Sequence, residues 1–292
     1  MMKDKIVLIT GATGGIGKQT ALTLARMDAK IIVIGRSSSS GEKSVTEIKQ
    51  ASGNSKVELL LADVSKQEDI RLLAKHFKAT YERLDVLINN AGLAAPTRQL
   101  TEDGVESNFA VNVVAPFLLT NLLMDPLKAS HMARVITLMG GDIPAKLEMN
   151  NLQAEHFFDG LTSYSQSKLA MMVVMCAFAQ RTQNSKVTMN ICYPGQASTN
   201  MTRNVTREML PSVMRWMFPL FKLVTRPDDD RSAAKASQSS VYLASSVAVA
   251  GVTGKYFNPK CKEVSMPKVV LDLEVRQNLW KVVHQLTNTP LS

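Results

Sequence analysis

The chain has 292 residues, 45% of them hydrophobic and 20% charged, enough to bury a sizeable core in one large or two small domains. Its formal charge of +9 suits an anionic cofactor, an acidic membrane surface or nucleic acid, but Lys and Arg are scattered and form no nucleic-acid module, so no nucleic-acid partner is expected. Three widely spaced cysteines (Cys176, Cys192, Cys261) and four histidines without ligand spacing point away from a disulfide framework or a metal centre and toward a reducing, cytoplasmic setting.

The first apolar run starts at about residue 5, which leaves no room for a signal peptide in this reading. Strand-length runs follow at Lys5–Thr10, Lys30–Gly35, Val57–Ala62, Leu84–Asn89, Arg134–Met139 and Val187–Tyr193, with a last candidate near Lys255–Asn258. They are continuous Val/Ile/Leu runs rather than alternating ones, as expected of strands buried on both faces. Segments of helical length separate them. The alternation predicts a Rossmann-type, doubly wound α/β fold: a parallel sheet flanked by helices, in a single domain over residues 1–292. The longest fully apolar run, Leu169–Ala179, is too short to cross a bilayer.

Between the first strand and the helix read from Gln19 onward lies Thr10-Gly11-Ala12-Thr13-Gly14-Gly15-Ile16-Gly17. Strand, tight glycine turn and helix, in that order, make a dinucleotide-binding turn. Glycines let the backbone approach a pyrophosphate, and the helix N-terminus presents free N–H groups to it. The second strand ends in Arg36, where an acidic residue would bind the ribose 2′-OH of NAD. A guanidinium there can clamp a 2′-phosphate, with Ser37, Ser38 and Lys43 nearby, so NADP(H) is expected over NAD(H). The alternative for Arg36 is a solvated loop residue.

At the end of the third strand, Asp63 (followed by Val64) could accept from an adenine amino group or cap the helix beginning near Lys66. The fourth strand ends Asn89-Asn90-Ala91-Gly92, small residues that let backbone lie against a cofactor or simply form a turn. Tyr164-Ser165-Gln166-Ser167-Lys168 opens the apolar helix, with Tyr and Lys on one face. An ammonium close to a phenol favours the phenolate, so Tyr164 is a candidate for proton exchange near neutral pH. Standing alone, the pair could equally be a surface contact.

Taken together, TGATGGIG at 10–17, NNAG at 89–92, Asn112, YSQSK at 164–168 and Pro194-Gly195 followed by Thr199 resemble the short-chain dehydrogenase/reductase family over nearly the whole chain. Asn151-Leu152-Gln153, Met214-Arg215-Trp216-Met217, Gly254-Lys255-Tyr256-Phe257 and Leu279-Trp280 are similar to its retinol-dehydrogenase branch. The resemblance implies an oxidoreductase that interconverts a carbonyl and an alcohol without a metal. It makes Tyr164 the general acid/base, Lys168 the residue that lowers its pKa and holds the nicotinamide ribose, and Asn112 the anchor of a water relay. Gly11, Thr13, Gly15, Ile16, Gly17, Asn90, Ala91, Gly92, Pro194, Gly195 and Thr199 would line the cofactor. A homo-oligomer through the helices carrying Asn112 and Tyr164 is also implied.

One element of the family pattern is absent. The serine that holds the substrate oxygen corresponds to Gly140, aligned from Arg134, or to Met139, aligned back from Asn151. Losing one oriented donor costs about a hundredfold or more in rate. Ser163, Thr137, a backbone N–H of Gly140-Gly141 or a water could replace it. The other readings are a slow enzyme, or a regulatory or scaffold protein that binds NADPH but no longer turns over. A substrate lid is expected at about 199–228, where Met214, Trp216 and Phe218 suit a small lipophilic, retinoid-like substrate; the alternative is that these residues pack on the core or on a partner subunit. Arg215, Lys222 and Arg226 would suit peripheral contact with an anionic membrane surface. A helical extension is expected at about 268–288.

Overall fold

A computed structural model describes residues 2–141, 143–144, 146–195, 206–209, 218 and 230–289. Seven parallel strands, β1 (Ile6–Thr10), β2 (Lys30–Gly35), β3 (Val57–Leu61), β4 (Val86–Asn89), β5 (Ala133–Leu138), β6 (Val187–Cys192) and β7 (Tyr256–Phe257), form one sheet with an antiparallel edge strand β8 (Glu263–Val264). The order is β3-β2-β1-β4-β5-β6-β7-β8, so connections leave β1 in opposite directions across the sheet. The crevice above the C-terminal ends of β1 and β4 is therefore the topological switch point, where open α/β sheets hold ligands. The single-domain, doubly wound reading is the fold observed.

Helices cover both faces because the strands are apolar on both. One core joins Val7, Ile9, Ile31, Val33 and Ile88 to α1 (Gly15–Arg26) and α2 (Ser38–Ser52). The other joins Leu8, Ile32, Leu87 and Val135 to α3 (Gln67–Thr80) and to the large helix α7 (Gly160–Arg181). Between β4 and β5, α4 (Ser107–Phe109), a π-helical turn at Ala110–Val114 and α5 (Ala115–Leu122) run on from one another, followed by α6 (Met124–Ala129). The helices α8 (Asp230–Ala236) and α9 (Gln238–Ser245) precede β7.

Two C-terminal helices, α10 (Lys268–Leu271) and α11 (Leu273–Thr287), follow the sheet. Leu279, Trp280 and Val283 of α11 are buried against α5 and α7. Trp280 meets Phe117 edge-on at 5.2 Å and Phe178 at 4.9 Å, with the Arg181 guanidinium over its ring at 4.1 Å. Each such apolar side chain contributes about 1.5–3 kcal/mol on burial. This explains why α7 is buried continuously from Ser167 to Ala179, Met171, Met172 and Met175 included, within one chain. The chain's own α11 thus packs on α5 and α7, the helices through which the resemblance implies a homo-oligomer.

Among the described residues, no helix is long and apolar enough to cross a membrane and no cluster of His, Cys, Asp or Glu could hold a metal ion. Thr199 and the lid segment 199–228, apart from residues 206–209 and 218, lie outside the described residues.

Candidate active site

The glycine turn sits at the switch point. Gly11 and Gly15 have φ of +65° and +52°, a conformation that L side chains rarely adopt. Gly17 is required by close approach: a Cβ there would collide with Asn90 Nδ2 and lie 2.6 Å from Gly11 O. The turn is clamped to the end of β4. Thr10 Oγ1 accepts the N–H groups of Asn90 and Ala91, both at 3.0 Å, while Asn90 Nδ2 donates to Thr10 O at 2.8 Å and Gly11 O at 3.0 Å. Asn90 and Ala91 therefore hold the turn against the end of β4. Ile16 lies in the first turn of α1, half-buried beside the crevice.

The second wall is built from β2. Thr13 packs its methyl against Gly35, which has no room for a Cβ, and its carbonyl accepts from Ser44 Oγ at 2.7 Å. Arg36 and Ser37 follow Gly35 at the surface. Ser37 precedes α2 and pairs its hydroxyl with Ser39. No hydrogen bond or ion pair ties the Arg36 side chain to another described residue, which leaves an exposed guanidinium beside the turn.

Asp63 does not cap α3. Its Oδ1 accepts from Ser65 N and Ser65 Oγ at 3.0 and 2.8 Å, closing a local turn, while the first N–H of α3, from Gln67, goes to Asp103. Val64 lines a small pocket with Thr10, Asn89 and Ala91.

The chemical residues come from the other half of the sheet. Tyr164 and Lys168 lie in the N-terminal part of α7, whose Asp159 caps it by accepting from Thr162 N at 3.1 Å. Both are buried, 7% and 4% exposed. Lys168 Nζ donates to Leu138 O at the end of β5 at 3.1 Å, and burial lowers its ammonium to about 8. The expected acidification of Tyr164 is not seen. Burial, with a smaller contribution from the nearby Tyr193, pushes the phenol above its ordinary range. The neighbouring ammonium that the sequence suggests is engaged by a carbonyl instead.

Asn112 stands in the π-helical turn and is 1% exposed. Its Oδ1 accepts from Leu93 N at 2.9 Å, and its Nδ2 donates to Leu93 O at 2.8 Å and Ser167 Oγ at 2.9 Å. The side chain ties the β4 loop to α7, so anchoring a water would fall to its backbone. π-helical turns of this kind occur often at functional sites. At the end of β6, Gly195 (φ +82°) follows Pro194, and a Cβ on it would lie 3.2 Å from Pro259.

The two positions that align with the family's serine lie at the end of β5. Met139 is buried in the core under α7, whereas Gly140 faces Tyr164. A Cβ on Gly140 would collide with the Tyr164 hydroxyl, and one on Gly141 (φ +75°) would lie 2.8 Å from the ring. Thr137 accepts from Asn89 Nδ2 inside the core, and Ser163 accepts from Asp159 N beside a different pocket, with Glu106 and Glu148. Neither hydroxyl is turned toward Tyr164 as a substitute. Gly140→Ser is therefore expected to lower activity rather than restore it, by about tenfold or more, because the tyrosine must leave its seat. Steady-state kinetics of the variant check this.

These features define a short-chain dehydrogenase/reductase. The family model described as short chain dehydrogenase matches residues 5–210, and the chain belongs to that family. It is 34% identical to retinol dehydrogenase 14 of Homo sapiens, over 97% of this chain and 86% of that one. It is also 34% identical to polyprenol dehydrogenase of Homo sapiens, over 97% and 85%. A crystal structure of an uncharacterized protein from Mycobacterium paratuberculosis superposes with a TM-score of 0.77 at 25% identity, covering 99% of this chain and 96% of that chain. The chain is thus an alcohol/carbonyl oxidoreductase by family, and the fold implies a nicotinamide cofactor.

Proposed function

We propose that the protein is an NADP(H)-dependent oxidoreductase that interconverts a carbonyl and an alcohol on a lipophilic, retinoid- or polyprenoid-like substrate. The observation that carries this reading is the joint geometry of two halves. A glycine cradle that cannot accept a Cβ at Gly17 borders the exposed Arg36, and buried Tyr164 and Lys168 stand at the same edge of the sheet. The cradle fits a dinucleotide: Gly11, Thr13, Gly15, Ile16 and Gly17 would take the pyrophosphate, Arg36 and Ser37 the 2′-phosphate, and Asp63 and Val64 the adenine. Asn90, Ala91, Gly92, Pro194, Gly195 and Thr199 would line the remainder.

When bound, the nicotinamide supplies the hydride for reduction. Tyr164 holds its proton on Oη, beside Gly140, and passes it to the substrate's carbonyl oxygen. Lys168, while cationic, favours the phenolate left behind. Asn112 is a positioning residue that fixes the β4 loop against Ser167, whose hydroxyl donates to Tyr164 O at 2.7 Å. Gly140 is the counterpart of the family's serine. The names of the retinol and polyprenol dehydrogenases, together with Met214, Trp216 and Phe218 in the segment before α8, support an apolar substrate.

The test is NADPH absorbance against a panel of aldehydes, ketones, all-trans-retinal and a polyprenal, with Tyr164→Phe as control. Consumption above the control supports the enzyme. NADPH binding without consumption supports the lapsed, cofactor-binding protein that Gly140 makes the second reading.

A further inference from the structure

Tyr193 is the residue that the motifs do not account for. It is the first residue beyond β6, and its backbone is fixed by donation to Phe257 O at 2.9 Å and by the Pro194-Gly195 turn that follows. The β5–β6 register pairs Thr137 with Ile191 and Leu138 with Cys192, and Met139 N donates to Cys192 O at 2.8 Å. The next pair along the two strands is Met139 beside Tyr193, immediately before Gly140. Strand alternation gives Tyr193 the same face as Met189 and Ile191, whose side chains lie in the core under α7. Tyr193 packs on that core while remaining only partly buried. Tyr164 descends from α7 on the same side and rests on Gly140-Gly141. A charge on the Tyr193 phenol opposes ionisation of Tyr164, so the two rings lie within electrostatic reach.

We propose that Tyr193, reaching in from β6, supplies the hydroxyl that holds the substrate's carbonyl oxygen where the family's serine is absent. This rests on the oxidoreductase reading above and deepens it. A phenol is longer than a serine hydroxymethyl and can serve from the neighbouring strand. Gly140 carries no side chain beside the Tyr164 hydroxyl, where a Cβ would collide with it. Tyr164 then transfers the proton, while Tyr193 donates a hydrogen bond to the same oxygen and keeps its own proton. No bond is made or broken at Tyr193.

The experiment compares Tyr193→Phe with wild type by two readouts. With NADPH and all-trans-retinal, kcat/KM is expected to fall about a hundredfold, as for loss of one oxyanion donor. The NADPH Kd, measured by fluorescence, stays unchanged and shows that the variant is folded. A kcat/KM within about twofold of wild type, at equal NADPH affinity, overturns the proposal. The second readout needs no turnover. In protein labelled with carbon-13 at the tyrosine phenol carbon and saturated with NADP+, Tyr193→Phe is expected to move the Tyr164 resonance. An unmoved Tyr164 resonance overturns the proposal, even in a protein that reduces no carbonyl. Wild-type protein that binds NADPH and consumes none across the panel defeats the oxidoreductase reading instead, and the resonance still decides whether the two phenols share one site.

Discussion

Tyr164→Phe is expected to lower kcat/KM for carbonyl reduction by about a thousandfold while leaving NADPH affinity unchanged. In the proposed mechanism the phenol gives the proton, and deleting its oxygen removes the donor while keeping the ring against Gly140-Gly141. Binding is spared because the glycine turn and Arg36 belong to other elements. The pH profile follows from the shifts. Burial holds Tyr164 above its ordinary range, so the acid stays protonated through neutral pH and beyond. Lys168, lowered by burial to about 8, is cationic below that pH and neutral above it. Because the ammonium favours the developing phenolate, reduction is expected to be level near pH 6–7, which is about one to two units below the Lys168 transition, and to decline as pH rises through about 8. A rate that climbs through that range would contradict the assignment of Lys168.

Arg36→Asp is expected to weaken NADPH about a hundredfold, equivalent to about 2.7 kcal/mol, with NADH changed by less than about threefold. The guanidinium is exposed and lacks a partner among the described residues, so its removal disturbs little of the fold. The substituted carboxylate adds repulsion toward a 2′-phosphate and offers an acceptor to a ribose 2′-OH. Fluorescence titration of both cofactors measures the difference. Equal losses for NADPH and NADH would mean that Arg36 does not read the phosphate.

The strands were legible because burial on both faces leaves uninterrupted runs such as Ile31-Ile32-Val33-Ile34, and the expected bounds around it, Lys30–Gly35, are those of β2. Strand β8 was not, because Glu263–Val264 in its polar surroundings carries no apolar run and is defined by pairing with Tyr256–Phe257. The π-helical turn at Ala110–Val114 has no compositional mark, yet it positions Asn112. Gly11, Gly15 and Gly17 could be read directly, since a turn and a close approach both demand glycine.

The chemistry was less legible than the cradle. Neighbouring charge suggested an acidified Tyr164, but burial decides the direction, and burial depends on how α7 packs across β5 and β6. Tyr193 was missed for a similar reason. Its relation to Gly140 exists only through the β5–β6 register, which links residues more than fifty positions apart in sequence. Gly140, one of the two positions aligned with the family's serine, is in three dimensions the seat of the Tyr164 hydroxyl.

The most direct test of the central claim uses NADPH carrying deuterium at both C4 positions of the nicotinamide, incubated with the enzyme and all-trans-retinal or a polyprenal. Mass spectrometry is expected to find one deuterium on the former carbonyl carbon of the alcohol, and about a thousandfold less labelled alcohol per unit time when Tyr164→Phe replaces the wild type. Alcohol without deuterium, or no alcohol from protein saturated with NADPH, would contradict hydride transfer in this cleft.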